Sequence, residues 1–112
     1  MSASTEEAFR RLTIGEPRFL EVLGDAEARD LGAISLDART EALLRVSALI
    51  AIDAPASSYR SVVEAAQRAG ARLDDLLAVL LAVAGTVGSA RVISAAPRIA
   101  LAAGYDVEAA LE

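Results

Sequence analysis

Apolar positions recur along this chain with helical spacing rather than strand alternation. Leu36, Leu43, Leu44, Val46, Leu49 and Ile50 form a broad apolar surface that runs to Ile52. The next apolar set is Tyr59, Val62, Val63 and Ala66, on a segment that also carries Arg60, Glu64, Gln67 and Arg68. A nearly uncharged run of 15 residues, Leu76 to Ala90, follows. Val92 to Ala96 and a segment ending at Gly104 close the pattern. β-branched residues do not alternate with polar ones, and much of the apolar content is alanine, the best helix former. The expected class is all-α.

Capping and breaking residues divide this pattern into elements. Ser4-Thr5-Glu6-Glu7 has the spacing of a capping box and predicts a short helix to about Leu12, broken at Gly15-Glu16-Pro17. Pro17 suits a first helical position; Phe19, Leu20 and Leu23 then give one apolar face before Gly24. Asp25 is placed to cap a helix from Ala26 to Leu31, closed by Gly32. Ser35 is the cap candidate for the next helix, with Asp37 and Glu41 early in it, where negative charge suits the macrodipole. Asp53-Ala54-Pro55 marks a boundary, because a residue before proline favours extended backbone. Pro55 starts a helix that Gly70 ends. Asp74 and Asp75 open a long buried helix from Leu73, with a break near Gly85 to Gly88. A last helix from about Ser89 is kinked or interrupted at Pro97, and Asp106 caps a terminal turn. One helical domain over 1–112 is expected, with a lead-in over 1–34 and a core over 35–104.

Composition alters this picture in one respect. Of 112 residues, 54% are hydrophobic, and mean hydropathy is +0.42. A domain this small buries a limited share of its surface. The excess predicts burial between subunits, in a homo-oligomer with Leu76 to Ala90 and Val92 to Ala96 at its interfaces. Net charge is −5 with no basic patch, so binding to nucleic acid is not expected. The longest uncharged run is shorter than the roughly 20 residues of a bilayer span, so no membrane association is expected. The N-terminal Met-Ser-Ala-Ser-Thr-Glu-Glu does not read as a signal peptide, and a cytoplasmic location is the expectation.

The chain contains neither cysteine nor histidine. Thiolate nucleophiles, disulfides, imidazole bases and zinc sites built on Cys or His are therefore excluded, and a Ser-His-Asp triad is impossible. No cofactor is expected. Gly85-x-x-Gly88 lacks the Lys-Ser/Thr of a phosphate loop and suits close helix packing instead. Three charged residues stand out. Glu41 lies on an otherwise apolar helix, either paired with Arg45 one turn on or facing a pocket. Asp53 either caps the helix after Pro55 or presents its carboxylate to a pocket. Arg60 either pairs with Asp53, Glu64 or Glu41, or holds a small anion with its permanent charge. Ser57 and Ser58 read as exposed first-turn residues, with Tyr59 partly buried.

The stretch from Leu36 to Arg91 resembles the carboxymuconolactone decarboxylase and alkylhydroperoxidase-like family. The resemblance rests on Leu36-Asp-Ala-Arg-Thr-Glu41, on Asp53-Ala-Pro-Ala-Ser-Ser-Tyr-Arg60 and on Ala78-Val-Leu-Leu-Ala-Val-Ala-Gly-Thr-Val-Gly88. It covers about half the chain. Glu41 matches the family's helical glutamate; Asp53 and Ala56 occupy its cysteine positions, and Arg60 its histidine position. The positions of a further histidine and tyrosine in the decarboxylase branch look like Ala82 and Thr86. The resemblance implies the family's helical bundle, assembled as a trimer or hexamer, without thiol peroxidase chemistry. It places a small carboxylate or lactone near Glu41, Asp53 and Arg60, which are the candidate catalytic residues. The competing reading is a non-catalytic oligomeric binding or scaffold protein that retains the fold alone.

Overall fold

The computed structural model describes residues 3–18 and 35–111. Every regular element among them is a helix. The chain divides into two units, Met1–Leu36 and Asp37–Glu112.

In the first unit, α1 spans Ala3–Thr13. It already includes Ser4, so the helix begins before the predicted cap. Glu7 pairs with Arg10 at 2.7 Å and with Arg11 at 3.1 Å. These hydrogen bonds, Arg10 first, hold the Glu7 carboxyl down to about 2. Gly15 turns the chain at φ 66°, and helical backbone resumes at Pro17. The rest of the helix expected from Pro17 and the helix expected after Asp25 fall outside the described residues.

The second unit contains α2 (Ala38–Ala51), α3 (Ala56–Arg68), α4 (Leu73–Val87), α5 (Ser89–Ala102) and the short α6 (Val107–Ala110). α2 packs against α3, α4 and α5; α5 packs against α2, α3, α4 and α6. α2 and α5 are therefore the central helices, flanked by α3 and α4, which make no close backbone approach to each other. The core takes residues at helical spacing from each helix: Val46 and Ile50, Tyr59 and Val63, Leu76 and Leu80, Ala95 and Ile99. Ala42, Ala66 and Ala71 form a smaller cluster, with Leu43 packed against it.

Local chemistry sets the helix boundaries. Asp37, rather than Ser35, caps α2: its Oδ1 accepts from the Thr40 amide at 2.8 Å. Asp75 accepts from the Arg72 amide at 2.8 Å, so a side chain in the first turn reaches back to the N-cap of α4. Both carboxyls are held below their ordinary range, chiefly by these backbone N–H bonds. α2, α3 and α5 end alike. At Asp53, Gly70 and Gly104 the backbone turns to positive φ, and the next residue donates back to Leu49, Ala66 and Ala100 respectively. Glycine is the usual residue at such a position; α2 uses an aspartate.

Several expectations are corrected. α4 runs unbroken through Gly85, and the chain turns only at Gly88, where φ is 92°. Among the described residues, nothing lies within 4 Å of a Cβ built at Gly85, so that glycine serves no close packing against them. α5 is continuous across Pro97. α4 is not buried all round: Leu76 and Leu80 face the core, whereas Leu77 and Leu81 are exposed in the single chain, Leu81 at 69%.

Ile50 is completely buried at the centre of this core. Ile50→Ala should cost about 2–5 kcal/mol of unfolding free energy through lost contacts and the cavity left behind. Urea denaturation followed by circular dichroism measures it; a cost under about 1 kcal/mol would contradict this assignment of the core.

Candidate functional site

The turn between α2 and α3 is held by one edge of α5. Arg91, Ser94 and Arg98 recur at i, i+3 and i+7, so they share one side of that helix. Arg91 donates to the Ala51 carbonyl at 2.5 Å. Ser94 donates to Asp53 Oδ1 at 3.1 Å. Arg98 donates to the Ala54 carbonyl at 2.7 Å and lies 3.4 Å from Asp53 Oδ1. Two guanidiniums thus meet carbonyls at and just beyond the C-terminus of α2, where the macrodipole favours positive charge.

Asp53 does not cap α3. Pro55 occupies the N-cap position and offers no side-chain acceptor. The Asp53 carboxylate turns to α5 instead, from a residue held at φ 51°. Aspartate tolerates this region better than most residues, but still less well than glycine. Its retention here is accounted for by the bonds its carboxylate makes.

Beside this turn a groove of about 540 Å³ opens between α3 and α5. Ser57, Arg60 and Glu64 line it from α3, and Arg98, Leu101 and Ala102 from α5. Each set follows helical spacing, so each wall is one face of one helix. Further along α3, Gln67 Nε2 bonds the Ala103 carbonyl at 3.3 Å and ties the two helices together again. Arg98 is held by the Asp53 turn. Arg60 is exposed and makes no hydrogen bond or salt bridge among the described residues, Glu64 one turn away included. Arginine before glutamate at i+4 is the weaker orientation for a helical pair.

The structure therefore brings two of the three candidate residues to one neighbourhood. Arg60 lines the groove directly, and Asp53 reaches it through Arg98. Glu41 is not among the lining residues; it accepts a hydrogen bond from Arg45 one turn along α2. Ala82 and Thr86 are exposed on α4 and do not line the groove either. Sequence reasoning missed Arg98 and its neighbours Arg91 and Ser94. The signal was present as a polar row at i, i+3 and i+7 on an otherwise apolar helix, but nothing in the sequence pointed to a turn more than 40 residues earlier. Tyr59, expected to be partly buried, is fully enclosed, and its hydroxyl has no hydrogen-bond partner among the described residues.

No family model, curated protein or solved structure matches this chain. Among the described residues, no helix is long and apolar enough to cross a membrane.

The two arginines should behave oppositely on substitution. Arg98→Ala leaves the Ala54 carbonyl without its side-chain donor and should lower stability by about 1–3 kcal/mol. Arg60→Ala should change it by under about 0.5 kcal/mol. Chemical denaturation of both variants checks the contrast; equal losses would mean that Arg60 has a structural partner.

Proposed function

We propose that this protein is a carboxymuconolactone decarboxylase-like family member without thiol redox chemistry, which binds a small carboxylate or lactone in the groove between α3 and α5. The observation that carries the reading is Arg60. A permanent cation stands exposed on the groove wall with no protein carboxylate bonded to it among the described residues, while Arg98 brings a second guanidinium from the facing helix. Guanidinium pairs recognise the planar oxygens of a carboxylate through two parallel hydrogen bonds. The first turn of α3, Ala56 and Ser57, adds the positive end of a helix to the same groove. Leu101 and Ala102 supply an apolar wall for the rest of a small molecule. Asp53 acts in this reading through Arg98. Conversion of a bound molecule would fall to Glu64, the carboxylate among the lining residues.

Thermal unfolding with acetate, benzoate or succinate tests this, against chloride at matched ionic strength. A ligand bound only to the folded chain stabilises it by about 2.7 kcal/mol at a hundred times its Kd. The melting temperature should rise with carboxylate, and Arg60→Ala should abolish the rise. No rise in the unaltered protein would end the reading.

A second reading is favoured by a different surface. Leu73, Leu77 and Leu81 form an exposed apolar row on α4, and Ile93 on α5 is 71% exposed. Large apolar side chains aligned in this way suit burial between subunits. We propose a homo-oligomer, a trimer or hexamer by family resemblance, in which α4 and the start of α5 lie between copies. Light scattering should give a multiple of the 11.6 kDa chain mass. Leu81→Asp should reduce that mass by placing an unpaired charge in the interface. A monomer mass for the unaltered protein at micromolar concentration would refute the assembly.

A further inference from the structure

The groove between α3 and α5 is electrically asymmetric along its length. The two helices advance beside it in the same sense. Ala54, just before α3, accepts from Arg98, and Gln67, near the end of α3, reaches the carbonyl of Ala103, just past the end of α5. The lining includes Ala56, the first residue of α3, and Ala102, the last residue of α5. One end of the groove therefore meets the positive terminus of a helix, and the other end meets a negative terminus. The side chains repeat that order. Ser57, Arg60 and Arg98 stand where α3 begins, and Glu64 stands one turn beyond Arg60, toward the end of α5.

Two of these charges are unpaired among the described residues. Arg60 and Glu64 are at i and i+4, with about 5–6 Å between Cβ atoms in that relation, and they do not bond each other. Glu64 does not bond Arg68 either, although glutamate before arginine at i+4 is the better orientation for a helical pair. Opposite charges that share a wall without meeting leave room for a ligand that carries both. The charge balance agrees. Arg60 and Arg98 supply two positive charges, and Glu64 and Asp53 supply two negative ones. A zwitterion preserves that balance, whereas a simple carboxylate adds a negative charge facing Glu64.

We infer that the groove takes a small amino acid, with its carboxylate and ammonium separated by one or two carbons and an apolar remainder. The carboxylate lies between the Arg60 and Arg98 guanidiniums at the start of α3. The ammonium lies against Glu64, toward the C-terminus of α5. The remainder packs on Leu101 and Ala102. This inference rests on the carboxylate-binding reading and names its ligand class. Glu64 is first a binding group in this site, and it selects for the amine. An acid of the same carbon skeleton keeps the guanidinium contacts but leaves Glu64 unpaired; the matching amine does the reverse.

Leucine, isocaproate and isoamylamine test this, because they share one skeleton and differ in the charges they carry. Thermal unfolding at neutral pH and matched ionic strength reports the binding of each. Leucine should bind at least about tenfold more tightly than isocaproate or isoamylamine, the effect of one lost charge-assisted hydrogen bond. This comparison uses the unaltered protein and does not depend on any variant folding. Glu64→Gln, at an exposed position, should then lower the affinity for leucine to that for isocaproate, and should leave isocaproate binding unchanged or stronger. If isocaproate binds as tightly as leucine, or leucine keeps its lead in Glu64→Gln, the amino acid inference is overturned and the carboxylate reading stands. If isoamylamine matches leucine, or neither leucine nor any carboxylate stabilises the unaltered protein, both fall.

Discussion

The second unit depends on the row of polar side chains that α5 lays across the end of α2. Arg91, Ser94 and Arg98 satisfy the Ala51 carbonyl, the Asp53 carboxylate and the Ala54 carbonyl in sequence. A helix end leaves carbonyls without intrahelical donors, and leaving such groups unmet near a core is costly. Here the donors come from a helix distant in sequence. The same bonds therefore finish α2, fix the turn into α3 and set α5 against both. Hydrophobic burial supplies most of the driving force, but it is non-directional; the arginine row gives this corner its geometry.

That corner also determines what the groove can be. Arg98 reaches the groove because Asp53 and Ala54 hold it there, and Arg60 reaches it because α3 starts at Pro55 with a fixed phase. The cost of the arrangement is local. Asp53 stands where glycine would be easier, and the Tyr59 hydroxyl is dry. Asp53 faces the Arg98 guanidinium, while Gly70 and Gly104 end their helices with the residue the geometry prefers. The contrast among three helix ends of one chain, built on the same backbone bonds, separates what turning the chain requires from what this turn adds.

Among the described residues the core is built largely from small and aliphatic side chains, with Tyr59 as its one aromatic member. Alanine lets helices approach but contributes little area to bury. A chain that is 54% hydrophobic consequently retains large side chains on its surface, spread from α1 to the residues after α6. Leu73, Leu77 and Leu81 align in one row on α4, the helix whose charge is confined to its first turn. The residues lining the groove and the leucine row on α4 are separate sets.

The helical class, the order of helices from α2 to α6 and most of their boundaries were legible in the sequence, because they follow from short-range rules. Apolar spacing, proline, glycine and acidic first turns act within a few residues. Asp74 and Asp75, Pro55, Gly70, Gly88 and Asp106 all mark boundaries that the structure keeps. Where local rules offered two answers, tertiary contacts chose. Asp53 can cap a following helix or turn away from it, and the donors on α5 turn it away. Arg60 can pair along its own helix or stand apart, and among the described residues it stands apart in the groove. Glu41 accepts from its own neighbour Arg45, a contact that sequence spacing alone anticipates. The groove, the role of Arg98 and the dry hydroxyl of Tyr59 were decided by tertiary structure. Each depends on side chains from helices that meet only after the chain has folded, and no local pattern encodes which helix face will be opposite which.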